Sequence, residues 1–165
     1  MVSETFLKEC DIFSGLNDAQ LKKLIAIAKE EIFAPGTLVF KIGEPATHLY
    51  LVEKGKVFLE MKGDMGPTRP PMTVTVDVVT RREALGWSAF SELNLYTLSA
   101  LIADPTNLIS FEGGKLKALM DQDPQMGYEI TKGLSRLLAS RLNHSRVLLS
   151  SERAHTLLMS GTEYA

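Results

Sequence analysis

The stretch that decides the fold is residues 84–100, with the sequence Ala-Leu-Gly-Trp-Ser-Ala-Phe-Ser-Glu-Leu-Asn-Leu-Tyr-Thr-Leu-Ser-Ala. It lies between strand-like runs and predicts a turn at Gly86, a short helix from Ser88 and a strand from Leu95. The small residues Gly86, Ser88 and Ala89 allow a ligand to approach the backbone closely. Because the first turn of a helix carries unpaired N–H groups and a partial positive charge, the stretch predicts an anion site.

The same residues resemble the phosphate-binding cassette of the cyclic-nucleotide-binding domain family. In that family a Gly-Glu-x-Ala-Leu run is followed, some residues later, by Arg-(Ala/Ser)-x-(Thr/Ser). Gly86 and Ala89 occupy their places in the first run, and Phe90 takes the Leu place. Thr97 matches the small residue that follows the arginine in the family pattern, and Ser99 matches its Thr/Ser position. The resemblance therefore predicts the fold of that family for most of the chain.

Two positions of the cassette, defined here as residues 86–99, depart from the family pattern. The ribose-binding Glu of the family corresponds to Trp87, and its phosphate-binding Arg corresponds to Tyr96. Loss of the arginine removes a charge-assisted contact that is typically worth about 1.5–3 kcal/mol. An indole donates a hydrogen bond but accepts none, so Trp87 cannot replace the ribose acceptor. A cyclic nucleotide is thus disfavoured as a cofactor, and no cofactor is required.

Three alternatives remain open for the pocket: a cyclic nucleotide, another small ligand, or no ligand. The candidate ligand-binding residues in the cassette are Gly86, Trp87, Ser88, Ala89, Phe90, Tyr96 and Thr97. The resemblance adds Ser145 and Arg146, which fall close to where the family's long helix touches the base across a dimer. Trp87 and Tyr96 would suit a flat or apolar ligand through stacking, or would fill the vacated space as part of the core.

The length, composition and charge of the chain limit the class of protein that it can be. A chain of 165 residues that is 45% hydrophobic is expected to form one domain with an ordinary core. Its net charge of −2 implies no general affinity for polyanions, and the fourteen residues after Ser151 have no room for a helix-turn-helix domain. We therefore expect no direct nucleic-acid binding. Without a signal peptide or a long apolar window, we expect no membrane association and a cytoplasmic location.

The central part of the chain consists of short strand-like runs separated by turn residues. Lys54, Gly55 and Lys56 predict the tip of a hairpin in which residues 57–61 pair back on residues 48–53. Many short strands indicate a mainly β fold with flanking helices. The resemblance specifies an antiparallel double-stranded β-helix, or jelly-roll, barrel with N-terminal helices and a long C-terminal dimerisation helix.

Helices are expected on both sides of the strands. Asn17 or Asp18 is predicted to cap an N-terminal helix. Residues 1–123 are predicted to form the domain, residues 124–151 the long C-terminal helix, and residues 152–165 a tail. Apolar residues of the long helix follow spacings of three and four, and the predicted dimerisation positions are Ile130, Leu134, Leu137, Leu138 and Leu142.

The resembling family packs this long helix against its twin, so we expect a parallel helix pair and a homodimer. The alternative is that the helix folds back on its own domain alone. The spacing of the histidines does not indicate a metal site, and no nucleophile motif indicates a catalytic site. The chain is therefore expected not to be an enzyme.

Two functions follow from these observations. The first is a non-catalytic sensor or regulatory module that binds a small ligand in the cassette and signals through the long helix. The second is a ligand-free cassette kept as a dimerising scaffold for another protein. An open cavity beside Ser88 and Thr97 would favour the first, and filling of the pocket by Trp87 and Tyr96 would favour the second.

Overall fold

A computed structural model describes residues 2–92 and 94–160 of the chain. The described helices are α1 (Glu4–Glu9), α2 (Asp18–Ile27), α3 (Gly113–Gln122) and α4 (Pro124–Ser160). The described strands are β1 (Ala28–Phe33), β2 (Leu38–Phe40), β3 (His48–Lys54), β4 (Val57–Gly63), β5 (Met72–Val79), β6 (Ala84–Leu85), β7 (Ser99–Ile102) and β8 (Thr106–Glu112).

The strands form two four-stranded antiparallel sheets. The first sheet has the order β1-β8-β3-β6, and the second has the order β2-β7-β4-β5. The expected mainly β fold with flanking helices is therefore confirmed, and the arrangement is consistent with a jelly roll. The alternation of Val74, Val76 and Val78 with Thr73, Thr75 and Asp77 predicts a strand over residues 72–79, and β5 has these bounds.

The turn at Gly55 connects the two sheets. β3 pairs with β6 and β8, whereas β4 pairs with β5 and β7, so the predicted hairpin between β3 and β4 is wrong. Gly55 has a φ of 102°, and a Cβ added there would lie 2.7 Å from the backbone oxygen of Pro105. Glycine is needed at this position, but the local turn signal does not say to which sheet the next strand belongs.

Two hydrophobic clusters hold the fold together. One lies between the sheets and includes Phe40, Val52, Val57, Leu59, Ile102 and Leu108. The other joins the first sheet to the helices and includes Phe13, Leu24, Phe111, Leu116 and Ile130. Its aromatic centre is an edge-to-face contact of Phe13 with Phe111, whose ring centroids are 5.3 Å apart.

Side chains cap the first turns of α2 and α4. Asn17 caps α2, because its Oδ1 accepts from the Gln20 N–H at 2.9 Å while Gln20 Oε1 accepts from the Asn17 N–H at 3.1 Å. At the junction of α3 and α4, Asp123 Oδ1 accepts from the Met126 N–H at 3.1 Å, and its Oδ2 accepts from Gln20 Nε2 at 3.2 Å. These bonds, chiefly the backbone one, lower the pKa of Asp123.

Helix α4 is longer than the sequence predicted. It continues to Ser160, so the predicted end at Ser151 is wrong and residues 152–160 of the predicted tail are helical. Residues 161–165 of that tail lie outside the described residues. No described helix has the combination of length and apolar character that crossing a membrane requires.

The proximal part of α4 packs on its own domain. Ile130 is fully buried, and Leu134 and Leu137 are half-buried against the same cluster. Ile130 therefore cannot face a partner helix, which corrects its predicted role in dimerisation, and much of Leu134 and Leu137 is also covered within the chain. Leu138 and Leu142 are 41% and 53% exposed, and their role in a dimer remains a prediction.

Candidate functional site: the cassette

The cassette begins where β6 ends. Gly86 has a φ of 81°, and a Cβ added there would lie 2.6 Å from the backbone oxygen of His48. The predicted turn at Gly86 is thus confirmed, because both its left-handed conformation and its close packing require glycine. A single 3-10 turn over Trp87–Phe90 follows.

Two backbone donors, one in this turn and one directly after it, bond back to the turn. The Ala89 N–H donates to the Gly86 oxygen at 3.1 Å, and the Ser91 N–H donates to the Ser88 oxygen at 3.0 Å. The sequence predicted a helix whose first N–H groups would converge on an anion. The short helix expected from Ser88 is a single 3-10 turn that begins at Trp87, and the anion site at its N–H groups stays a prediction.

The chain after the turn also differs from the expectation. A strand was predicted from Leu95, but Leu95 forms only an isolated bridge with Pro45, and β7 begins at Ser99. Between them Tyr96 turns inward and is only 4% exposed. The predicted start of the strand at Leu95 is therefore wrong by four residues, and the buried Tyr96 lies in the segment before β7.

Tyr96 packs into the space between the sheets. Its ring stacks on Phe40, with centroids 3.8 Å apart and 12° between the planes. Its hydroxyl donates to the His48 oxygen at 3.1 Å and accepts from the His48 N–H at 3.2 Å. Tyr96 is therefore held by both its ring and its hydroxyl.

Tyr50 also belongs to this aromatic group, next to Phe40. The two rings are stacked with centroids 6.0 Å apart and 28° between the planes. Burial, assisted by the neighbouring Tyr96, raises the pKa of Tyr50 far above its ordinary value. We call Phe40, Tyr50 and Tyr96 the aromatic plug.

The space left beside the aromatic plug is very small. Its volume is about 20 Å³, which is room for about one water molecule. The structure brings five predicted site residues together around it, namely Gly86, Trp87, Ser88, Tyr96 and Thr97. Phe40, Leu59 and Leu98 complete the lining, and none of these described residues carries a charge.

The remaining predicted site residues lie elsewhere. Ala89 is buried at 2% exposure and Phe90 is half-buried, and both pack into the hydrophobic clusters next to the cavity. Ser145 and Arg146 lie on the exposed distal part of α4, outside the lining of the cavity. Their predicted contact was across a dimer, so it remains a prediction.

One ionic contact near the cassette was not foreseen from the sequence. Arg141 of α4 donates through Nη1 to both carboxylate oxygens of Asp77 at 2.8 Å, and through Nη2 to Glu83 Oε1 at 3.2 Å. The Arg141 and Asp77 side chains are only 13% and 14% exposed. Their separation of 64 residues in sequence left no local signal for this contact. Within the described part of the chain, no cluster of three metal-binding side chains occurs.

Comparison with known proteins agrees with the fold of the chain. The sequence profile of the cyclic nucleotide-binding domain family matches residues 30–123. The cAMP-dependent protein kinase regulatory subunit of Yarrowia lipolytica is 38% identical over 61 residues, which are 37% of this chain and 16% of that protein. The chain thus matches only a small part of that relative's length.

Solved structures show the same fold. A cyclic nucleotide-binding protein from Geobacter metallireducens has a TM-score of 0.74 at 25% identity, covering 86% of this chain and 99% of that one. The regulatory subunit of a cAMP-independent protein kinase A from Trypanosoma brucei has a TM-score of 0.69 at 16% identity, covering 89% of this chain and 49% of that one. Because the family profile spans more than half of its length, this chain belongs to the cyclic nucleotide-binding domain family.

Proposed function

We propose that this chain is a regulatory domain that works without a cyclic nucleotide and acts through helix α4. The observation that carries the proposal is the stack of Tyr96 on Phe40 inside the cassette. In the family pattern the position of Tyr96 holds the arginine that binds phosphate. Here that position supplies an aromatic ring that occupies the pocket.

The volume of the cavity supports this proposal. Pockets for small organic ligands typically have volumes of about 300–1,000 Å³, whereas the cassette cavity has about 20 Å³. To admit a nucleotide, Tyr96 would have to leave its stack with Phe40 and break two hydrogen bonds to His48. The pocket would then offer the phosphate no cation among the described lining residues.

The fold does not argue against a nucleotide-independent role. The Trypanosoma brucei neighbour has the same fold and is described as the regulatory subunit of a cAMP-independent kinase. The family fold therefore occurs in a regulatory protein that does not depend on cyclic AMP. In this chain Tyr96 stands at the arginine position of the family and Trp87 at the glutamate position. Both residues support a role that does not depend on cyclic AMP.

A second copy of the chain is the proposed partner of α4. Beyond Leu137 the helix exposes large apolar residues, including Leu138, Leu142 and Leu149. Spacings of four and seven place these three on one face, and a parallel partner helix would cover them. The dimer then forms a scaffold through which another protein is engaged.

Thermal unfolding of the purified chain with and without ligands tests the nucleotide-independent role. Cyclic AMP, cyclic GMP, cyclic dinucleotides and inorganic phosphate are the probes, because binding to the native state raises the melting temperature by mass action. We expect no shift with any of them at concentrations up to about 1 mM. A reproducible rise with any probe would overturn the proposal and show that the cassette opens.

A further inference from the structure

Four apolar side chains form a row across the outer face of the second sheet. Leu38 of β2 pairs with Leu101 of β7. Leu101 pairs in turn with Phe58 of β4, and Phe58 pairs with Val78 of β5. Residues that are directly opposite in antiparallel strands project from the same face of the sheet. Leu59, next to Phe58, is buried between the sheets, so the row projects away from the interior.

We call Leu38, Phe58, Val78 and Leu101 the outer row. Leu38 and Val78 are 42% and 39% exposed, and the other two residues are half-buried. None of the four belongs to either of the two hydrophobic clusters. Single apolar residues on a surface are ordinary, whereas a contiguous apolar group that spans a whole sheet is typical of an interaction site.

A cavity adjoins the outer row at Leu38. Its volume is about 300 Å³, and its other apolar lining residues among those described are Ile42 and Met61. Ile42 and Met61 are 49% and 42% exposed. The cavity is therefore open to solvent and large enough to receive an apolar side chain of a partner that lies along the row.

Lysines give the cavity an excess of positive charge. Lys41 and Lys62 line it and are both exposed, and within the described part of the chain neither forms an ion pair. Glu60 is the acidic residue among the described lining. The Glu44 carboxylate is near Lys41 but accepts from its backbone N–H at 2.9 Å and does not line the cavity. A partner with carboxylates beside its apolar residues is complementary to this surface.

The geometry of the outer row favours a helix as the partner element. The row crosses four strands that lie about 4.8 Å apart, so it is about 14 Å long. The apolar stripe of a helix covers this length in about ten residues, at a rise of 1.5 Å per residue. An extended segment on the face of a sheet leaves its own backbone groups without partners, whereas a helix pairs them internally. The first sheet is covered in the same way, by helices of the chain itself.

We propose that the outer face of the second sheet binds an acidic amphipathic helix of a partner protein. Apolar side chains of this helix cover the outer row, one of them enters the cavity beside Ile42, and its carboxylates pair with Lys41 and Lys62. The inference rests on the proposed scaffold role, for which it names the docking surface and the chemistry of the partner. Its residues lie outside α4 and the aromatic plug, so its test depends on neither the dimer nor the cassette.

Methyl NMR of the full chain tests the proposal residue by residue. The probe is a synthetic helical peptide of about 14 residues, with leucines along one stripe and glutamates on both sides of it. A second peptide has lysine in place of each glutamate. We expect saturable shifts of the Leu38, Ile42, Val78 and Leu101 methyl signals with the glutamate peptide. It should bind about tenfold more tightly than the lysine peptide, because two ion pairs replace two like-charge contacts.

Substitutions separate the charged and apolar parts of the surface. Lys62→Glu should weaken binding of the glutamate peptide about fivefold, and Lys117→Glu, at an exposed position of α3, should leave it unchanged. Leu38→Ser should weaken binding about tenfold, because it removes apolar area from the row. Its matched control is Ile32→Ser on β1, where the side chain is 81% exposed and far from the row in strand order.

Three results would overturn the proposal: no saturable shift of the outer row, equal affinity for the two peptides, or unchanged affinity in both Lys62→Glu and Leu38→Ser. A second copy of the chain is the competing occupant. If it covers the row, the Val78 and Leu101 signals will change when the chain alone is diluted, and that result would also overturn the proposal. Nucleotide binding in the cassette or loss of the α4 dimer is measured separately, so failure of the proposed function remains distinguishable.

Discussion

The ring of Tyr96 lies 3.8 Å from the ring of Phe40, nearly parallel to it, at the cassette position where the family pattern has its phosphate-binding arginine. In the proposed function, this position therefore lacks the charge of an arginine, and its ring fills the space in which a ligand would lie. Since Tyr96 also bonds to both backbone groups of His48, the filled pocket is a fixed part of the core. Gly86, Trp87, Ser88 and Thr97 line the small space that is left beside it.

Substitutions at Tyr96 separate the contribution of the ring from that of the hydroxyl. Tyr96→Ala removes a ring that is only 4% exposed, and we expect a loss of about 3–5 kcal/mol in the free energy of unfolding. Tyr96→Phe keeps the stack and loses the bonds to His48, for an expected loss of about 1–3 kcal/mol. Urea unfolding followed by circular dichroism measures both. Equal effects of the two variants would show that the ring stack contributes little.

The proposed dimer is tested at the exposed leucines of α4. Leu138→Glu with Leu142→Glu places two charges on the face expected to contact a second copy, so sedimentation velocity should show monomers. Ala139→Glu with Asn143→Glu adds the same charge on exposed positions of the adjoining face and should leave the dimer intact. A dimer that survives the leucine substitutions would exclude this seam.

The pH dependence of stability is expected to involve Asp123. Its pKa is lowered, chiefly by the hydrogen bond from the Met126 N–H and further by Gln20. A lowered pKa in the folded state means that the carboxylate stabilises the fold above its ordinary pKa of about 3.9 and loses this contribution as the pH falls further. Asp123→Asn should melt below the parent chain at pH 7, and the difference should shrink as the pH falls below the ordinary pKa of the carboxyl group and through its lowered pKa in the folded chain. A difference independent of pH would contradict the assignment.

Cys10 is expected to be inert in the folded chain. It is fully buried, its Sγ donates to the Phe6 oxygen at 3.3 Å, and burial raises its pKa to about 12. Because the thiolate is the reactive form, an aromatic disulfide reagent at pH 8 should react only as fast as the chain opens. Labelling in urea should follow the unfolding transition. Rapid stoichiometric labelling of the native chain would show that this part of the core is accessible.

Much of the fold could be predicted from local signals. The cap at Asn17, the turn at Gly86 and the alternation of β5 each depend on residues close in sequence, and each is confirmed. The strand partners on either side of Gly55 could not be predicted, because pairing between distant segments is not encoded in a turn. The apolar spacing of α4 correctly predicted a helix, but it did not distinguish burial of Ile130 within the chain from burial against a second copy.

The candidate site was also predicted only where the signal comes from residues close in sequence. The motif placed Gly86, Trp87, Ser88, Tyr96 and Thr97 around one cavity, as the structure shows. It did not reveal that Phe40 would stack on Tyr96, because the two rings come from segments more than fifty residues apart. The contact of Arg141 with Asp77 was missed for the same reason, since neither residue belongs to a motif.

Calorimetric titration with cyclic AMP tests the central claim most directly, using the parent chain and the variant Trp87→Glu with Tyr96→Arg. The variant restores both family residues and removes the ring from Phe40. Circular dichroism first establishes that it folds, and Tyr96→Phe serves as the control that keeps the pocket filled. We predict no heat of binding for the parent chain and for Tyr96→Phe, and measurable binding for the folded double variant. Saturable binding of cyclic AMP by the parent chain would contradict the account, because it would show that the aromatic plug opens for the ligand.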